Sequence, residues 1–138
     1  MATVFFPFYM DCPVVEVNFC RNDGAGTVRR RLLIDSGFTG RSAFALSSSD
    51  EKILVQRPAP DSDTEGALQG RQRRIWVICE LPELQFQDAL LAICTNLSTL
   101  ALPNGIHGMA GLTFLRCFNC WGGERRSDGE WYCFLETA

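Results

Sequence analysis

Apolar and polar residues alternate along several short stretches of the chain, which is typical of strands with one buried face. Val15, Val17 and Phe19 alternate with polar neighbours, and a glycine-rich turn at 22–26 leads into a second strand over 28–34. Further strands are predicted at 43–46, 75–81, 84–86, 89–94 and 131–135.

The segments between these strands are rich in turn-forming and polar residues. The spacing of the apolar residues predicts one short helix over 112–118. The prolines, glycines and acids of residues 57–70 predict an exposed, mobile loop, and residues 121–129 are predicted to form a polar hairpin connection. Many short strands with about one helix predict an all-β fold, a sandwich or a barrel, organised as a single domain over 1–138.

Composition narrows the class of protein. A net charge of −3 gives no indication of nucleic acid as a partner, and no apolar run reaches the length of a membrane span. The N-terminal apolar residues lack a basic region before them and a clear cleavage site after them, so no secretory signal is predicted. The odd number of cysteines, 7, then indicates reduced thiols and a cytoplasmic location.

One stretch carries candidate chemistry. The apolar residues at 32–34 lead directly into Asp35-Ser36-Gly37, and Phe38-Thr39-Gly40 follows. A carboxylate at the end of a buried strand loses solvation, which suits general acid–base catalysis and is costly in a purely structural turn. The tripeptide by itself is also compatible with an ordinary turn after a strand.

A second motif follows about 70 residues later, at Gly105-Ile106-His107-Gly108-Met109-Ala110-Gly111-Leu112-Thr113-Phe114-Leu115-Arg116. With these two motifs, in this order and at this separation, the chain resembles the retropepsin-like aspartic proteases, in particular their small cellular and prokaryotic members. The resemblance covers most of the chain, roughly 14–135.

The resemblance implies a closed acid-protease barrel that is active as a homodimer. Peptide hydrolysis by this route uses two carboxylates about one water molecule, with one proton shared between them. The chain contains a single Asp-Ser-Gly, so the resemblance implies that Asp35 of each subunit supplies one carboxylate to an endopeptidase site. No cofactor and no metal are expected, and the expected partners are a second copy and a peptide or protein substrate.

The resemblance also implies roles for the neighbouring residues. Ser36, Gly37 and Thr39 are expected to support the active-site loop, with Ser36 hydrogen-bonding across the two-fold axis. The remaining implied site residues are expected to contact substrate: Gly66, Ala67 and Leu68 in a flap, and Met109 and Ala110 beneath the active-site loop.

Two residues depart from the family pattern. Thr113 stands where many members have Asp or Asn, and His107 occupies a position that is often acidic. A hydroxyl can still make a local hydrogen bond, so a modified contact is expected at Thr113. These departures and the weak flap motif leave an alternative function, a catalytically weak or inactive binding or dimerisation module with the same fold.

Two further groups of residues carry candidate chemistry. Cys117 and Cys120 form a CxxC, but a zinc site requires four ligands and the sequence has no second pair. His107 with a cysteine nucleophile is conceivable from the residue types, although no cysteine lies in a recognisable nucleophile turn. The simpler interpretation is that the cysteines pack as small apolar side chains.

Overall fold

The computed structural model describes residues 1–63, 65, 68 and 70–138. The ten strands in these ranges are β1 (Thr3–Pro7), β2 (Val14–Cys20), β3 (Thr27–Ile34), β4 (Phe44–Ser47), β5 (Arg57–Ser62), β6 (Gln72–Leu81), β7 (Phe86–Thr95), β8 (Gly108–Ala110), β9 (Cys120–Arg125) and β10 (Trp131–Glu136). The α-helices of the same ranges are single turns, α1 (Glu51–Leu54) and α2 (Leu112–Leu115). No helix of this part of the chain has the length and apolar character needed to cross a membrane.

Six of these strands close into a barrel. Their order is β2–β3–β8–β4–β7–β6, and β6 pairs again with β2 through Phe19 and Cys79 to complete the ring. Strand β5 extends the sheet beyond β6, while β1, β10 and β9 form a separate three-stranded sheet. The predicted all-β class, the closed barrel and the short helix beginning at Leu112 are confirmed.

The alternating residues identified in the sequence form the core of the barrel. Val15, Val17 and Phe19 are fully buried, and their polar neighbours on β2 are only partly so. Phe44 packs edge-to-face on Phe19, with ring centroids 5.1 Å apart, and lies 5.0 Å from the ring of Phe114 in α2. Burial of these aromatic side chains is a large favourable contribution to folding, and it anchors α2 against the barrel.

The tight turn between β2 and β3 follows from its glycines. Gly24 and Gly26 have φ angles of 76° and 103°, which L-residues with a side chain rarely adopt. The backbone N–H of Arg21 donates to the carbonyl of Gly26 at 2.9 Å and closes the turn. The register of β2 against β3 is thereby fixed at the end of the hairpin that leads toward Asp35.

Two segments differ from the sequence interpretation. Residues 57–62, predicted as part of an exposed loop, form the edge strand β5, and residues 120–125, predicted as mainly a connection, form β9. Pro58 and Pro60 lack backbone N–H groups, and an edge strand tolerates this because only one of its sides is paired. Strand β9 is likewise an edge, paired with β10 alone. In addition, the predicted strands at 84–86 and 89–94 are one strand, β7, preceded by a 3-10 turn at Pro82–Leu84.

Candidate active site

Asp35 lies directly after β3, at the place where β8 inserts between β3 and β4. Leu33 and Ile34 pair in parallel with Met109 and Ala110, and the other side of β8 pairs antiparallel with β4. The backbone N–H of Asp35 donates to the carbonyl of Ala110 at 3.0 Å. The two sequence motifs therefore lie side by side in the structure, although they are far apart along the chain.

The loop that begins at Asp35 and runs to residue 43, here the Asp35 loop, is stabilised by its own backbone. The N–H of Gly37 donates to Asp35 Oδ1 at 3.0 Å, and the N–H of Phe38 donates to the Asp35 carbonyl at 3.0 Å. A Cβ atom at position 37 would lie 3.2 Å from Asp35 Oδ1, closer than most such contacts. Glycine therefore permits the backbone to approach and hold the carboxylate.

The start of α2 holds the same loop from its other side. The N–H of Leu112 donates to the carbonyl of Phe38 at 2.9 Å, and the hydroxyl of Thr113 donates to the carbonyl of Gly40. The hydroxyl of Thr113 thus ties the start of α2 to the Asp35 loop. The Asp35 loop is held between β8 and α2, which limits how far the carboxylate can move.

The Asp35 carboxylate remains available for chemistry. Its residue is half-buried, and none of the ion pairs of the described residues includes it. Ser36 and Thr39 of the same loop are exposed. A cavity of about 310 Å³ opens between the Asp35 loop and the three-stranded sheet, and its walls include Phe8, Pro13, Ile34, Ser36, Trp121 and Cys133.

The structure places only some of the expected substrate-binding residues together. Leu68 and Met109 are buried in one apolar group with Phe38, Ala45 and Ile93, which we call the Leu68 cluster. Ala110 is fully buried and lies behind Asp35 through the hydrogen bond already described. Gly66 and Ala67 lie outside the described residues.

Glu65 is a buried carboxylate that the sequence did not single out. It lies between β5 and β6 and accepts hydrogen bonds from Ser42, at the end of the Asp35 loop, including one from the hydroxyl to Oε2 at 2.6 Å. An acid within a polar, glycine-containing segment is ordinary at a protein surface, so the local sequence carries no sign of this burial.

The CxxC residues are separated by their environments. Cys117 is half-buried one turn after Thr113, and its thiol donates to the carbonyl of that residue at 3.6 Å, while Cys120 is exposed at the start of β9. Burial raises the pKa of the Cys117 thiol, which opposes formation of a reactive thiolate. Among the described residues, no group of three or more His, Cys, Asp or Glu side chains is placed to hold a metal ion.

His107 joins the loop before β8 to strand β3. Its Nδ1 accepts a hydrogen bond from the backbone N–H of Arg31 at 3.1 Å, and the backbone N–H of His107 donates to the Arg31 carbonyl at 2.8 Å. Partial burial of the ring lowers the pKa of His107, and the positive charges of Arg30 and Arg31 lower it further. These contacts use the neutral imidazole as a structural acceptor, and they do not pair it with a cysteine.

We expect His107 to make stability depend on pH. Because its pKa is lowered from 6.5 in the folded chain, the unfolded chain binds the proton first, so this stability is present above pH 6.5 and is lost as the pH falls through the folded value. The melting temperature of the wild type should therefore fall more between about pH 7.5 and about pH 5 than that of His107→Asn, whose amide oxygen replaces Nδ1 as acceptor. If differential scanning fluorimetry shows the same decrease in melting temperature with pH for wild type and His107→Asn, the prediction is wrong.

Comparisons with known proteins identified no relative of this chain. A scan against protein-family models, a search of curated proteins and a search of solved structures each found no match to this chain.

Proposed function

We propose that this chain is one subunit of a homodimeric aspartic endopeptidase in which Asp35 of each subunit is the catalytic residue. The observation that carries the proposal is the position of Asp35. The carboxylate follows a barrel strand, accepts the N–H of Gly37, and adjoins the segment of the second motif at Ala110. The contacts between the two motifs support the resemblance found in the sequence.

The reaction requires two such carboxylates about one water molecule. Two carboxyl groups that contact the same water molecule do not both ionise, because their negative charges would repel each other. The pair therefore shares one proton and titrates as a unit. The ionised carboxylate takes a proton from the water as it attacks the scissile carbonyl carbon, while the protonated carboxylate donates to the carbonyl oxygen. The carboxyl group that took the proton from water then gives it to the amide nitrogen, the other carboxylate takes a proton from a hydroxyl of the tetrahedral intermediate, and the C–N bond breaks to leave a carboxyl group and an amine.

The second carboxylate must come from a second copy of the chain. The sequence contains one Asp-Ser-Gly, and the other half of a symmetric pair is supplied when two chains are related by a two-fold axis beside Asp35. Ser36 is exposed next to Asp35 and is free of burial by its own subunit, which suits a contact across that axis. The active site is therefore a product of dimerisation.

The substrate class follows from the surroundings of the carboxylate. The Leu68 cluster adjoins the Asp35 loop through Phe38 and is buried, so an apolar side chain of an extended peptide that displaced Leu68 would pack against Phe38 and Met109. The proposed reaction uses water and two carboxylates and calls for no cofactor.

A binding or dimerisation module is the second candidate, and one observation favours it. Leu68 is buried in the cluster beside the Asp35 loop, so the chain itself fills part of the space that a substrate side chain would enter. A module of this kind would pair with itself and bind peptides without cleaving them.

Dilution tests the proposed function. An unfolded protein such as reduced casein, incubated with the purified chain at mildly acidic pH, should be cleaved at internal peptide bonds. Activity per milligram should fall in proportion to the dimer fraction once the chain is diluted below its dissociation constant, because a single subunit holds half a site. Sedimentation at the same concentrations provides the dimer fraction.

Two results would count against the protease. Constant activity per milligram from a chain that sediments as a monomer contradicts the shared site. A dimer that binds the unfolded protein and leaves it intact supports the binding module instead.

A further inference from the structure

Glu65, which lies between β5 and β6 in the sequence, is attached to the Asp35 loop by its buried carboxylate. Glu65 is 7 % exposed, and its Oε2 accepts the hydroxyl of Ser42 at 2.6 Å. Its Oε1 accepts the backbone N–H groups of Arg41 and Ser42 at 3.1 and 3.3 Å. Burying a carboxylate is costly unless it is hydrogen-bonded, and these donors are all supplied by the end of the Asp35 loop.

Arg74 of β6 supplies the compensating charge. Its guanidinium lies 3.9 Å from Glu65 Oε1, and the residue is only 9 % exposed. Its Nε also donates to the carbonyl of Pro60 in β5 at 2.8 Å. One arginine therefore connects both strands of the β5–β6 hairpin to the same buried carboxylate.

The Asp35 loop is shaped to receive this carboxylate. Gly40 has a φ of 122°, and a Cβ atom there would lie 3.2 Å from Glu65 Oε1. The carbonyl of Gly40 accepts the hydroxyl of Thr113 on the opposite side. The end of the loop is thus clamped between Glu65 and α2.

Leu68 is fixed together with Glu65. The N–H of Leu68 donates to the Glu65 carbonyl at 2.9 Å, and the N–H of Glu65 donates to the Leu68 carbonyl at 3.1 Å. Leu68 is 8 % exposed and fills the Leu68 cluster beside Phe38 and Met109. Phe38 donates its N–H to the Asp35 carbonyl, and Met109 pairs with Leu33, two residues before Asp35.

We propose that Glu65 is a positioning residue, here called the latch, whose bonds to the Asp35 loop hold Leu68 in the place that a leucine-sized apolar side chain of the substrate takes when it binds. This inference rests on the proposed endopeptidase function. Substrate must then displace Leu68, and the apparent affinity is reduced by the fraction of subunits in which the place is filled. A small or charged side chain cannot replace the contacts that Leu68 gives up.

Truncation of Leu68 tests whether this side chain competes with a substrate side chain. In Leu68→Ala we expect KM for an unfolded protein substrate to fall about tenfold with kcat within about twofold of wild type, because the competing side chain is gone. Leu84→Ala is the matched control, since Leu84 is 6 % exposed but belongs to the main core. Its KM should remain that of the wild type. An unchanged or higher KM in Leu68→Ala overturns the inference.

Replacement of Glu65 tests the latch by a measurement that needs no cleavage. Glu65→Ala removes the acceptor of the Arg41 and Ser42 N–H groups, so exchange of these amides with deuterium should accelerate about tenfold or more. Glu65→Gln retains an acceptor oxygen and should exchange nearly as slowly as wild type. Unchanged exchange in Glu65→Ala overturns the latch, even if Leu68→Ala fails to fold.

The experiments distinguish failure of the endopeptidase function from failure of the latch. If wild type shows no cleavage that depends on Asp35, the endopeptidase function is overturned. The proposal that Leu68 competes with a substrate side chain is then overturned as well. If cleavage depends on Asp35 but KM in Leu68→Ala and amide exchange in Glu65→Ala are both those of wild type, the endopeptidase function is supported and only the latch is overturned.

Discussion

Replacing Asp35 with Asn is expected to abolish peptide-bond cleavage while leaving a folded chain that still pairs with itself. The amide oxygen of Asn can accept the N–H of Gly37 as Asp35 Oδ1 does at 3.0 Å, so the loop retains its conformation. The amide cannot take a proton from water, and a dimer of the variant lacks both members of the acid–base pair. Loss of general acid–base catalysis corresponds to a decrease of about a thousandfold or more.

The measurement is cleavage of unfolded casein at mildly acidic pH, with circular dichroism and sedimentation to verify fold and pairing. Asp88→Asn is the matched control, because it makes the same change at an exposed carboxylate whose hydrogen bond is to the N–H of Ala89. This control should cleave like wild type. Full activity in Asp35→Asn would eliminate Asp35 as the catalytic residue.

Replacing Gly111 with Ala is expected to destabilise the chain by about 3 kcal/mol or more, because the new methyl group has no space. A Cβ atom at position 111 would lie 2.5 Å from the carbonyl oxygen of Phe38 and 2.8 Å from its Cδ2. Neither side can give way cheaply. The N–H of Gly111 donates to Ala43 at 2.9 Å, and the Phe38 carbonyl accepts the N–H of Leu112 at 2.9 Å.

Urea denaturation measures this effect as a shift of the unfolding midpoint. Gly123→Ala serves as control, because a Cβ atom at position 123 comes no closer than 4.0 Å to the atoms around it. Its free energy of unfolding should stay within about 1 kcal/mol of wild type. Equal midpoints for the two variants would show that the packing of Gly111 against the Asp35 loop is not tight. Any Gly111→Ala that folds should also lose cleavage, because the displaced loop carries Asp35.

Strands with one buried face were predictable because their pattern is local. The alternation over Val15, Val17 and Phe19 gave β2, and the glycine turn at 22–26 gave the hairpin to β3. Strands β5 and β9 were missed for an equally physical reason. Prolines, glycines and charges favour loops in isolated sequence, but an edge strand pairs on one side only and tolerates them.

The candidate site was predictable in its residues and less so in its surroundings. Asp35 and Gly37 lie in one short segment, so a strand followed by an acid and a small residue is visible in the sequence. Glu65 was not visible, because its burial depends on Ser42 and Arg74, which come from other parts of the chain.

By itself the sequence determined the strand that ends at Asp35, the glycine that lets the backbone hold the carboxylate, and the all-β class. The tertiary structure decided that β8 lies between β3 and β4, which places Ala110 against Asp35. It also decided that Leu68 fills the apolar cluster beside the Asp35 loop. The reason is that side-chain periodicity records which face of a segment is buried, whereas pairing between distant segments is selected by the packing of the whole barrel.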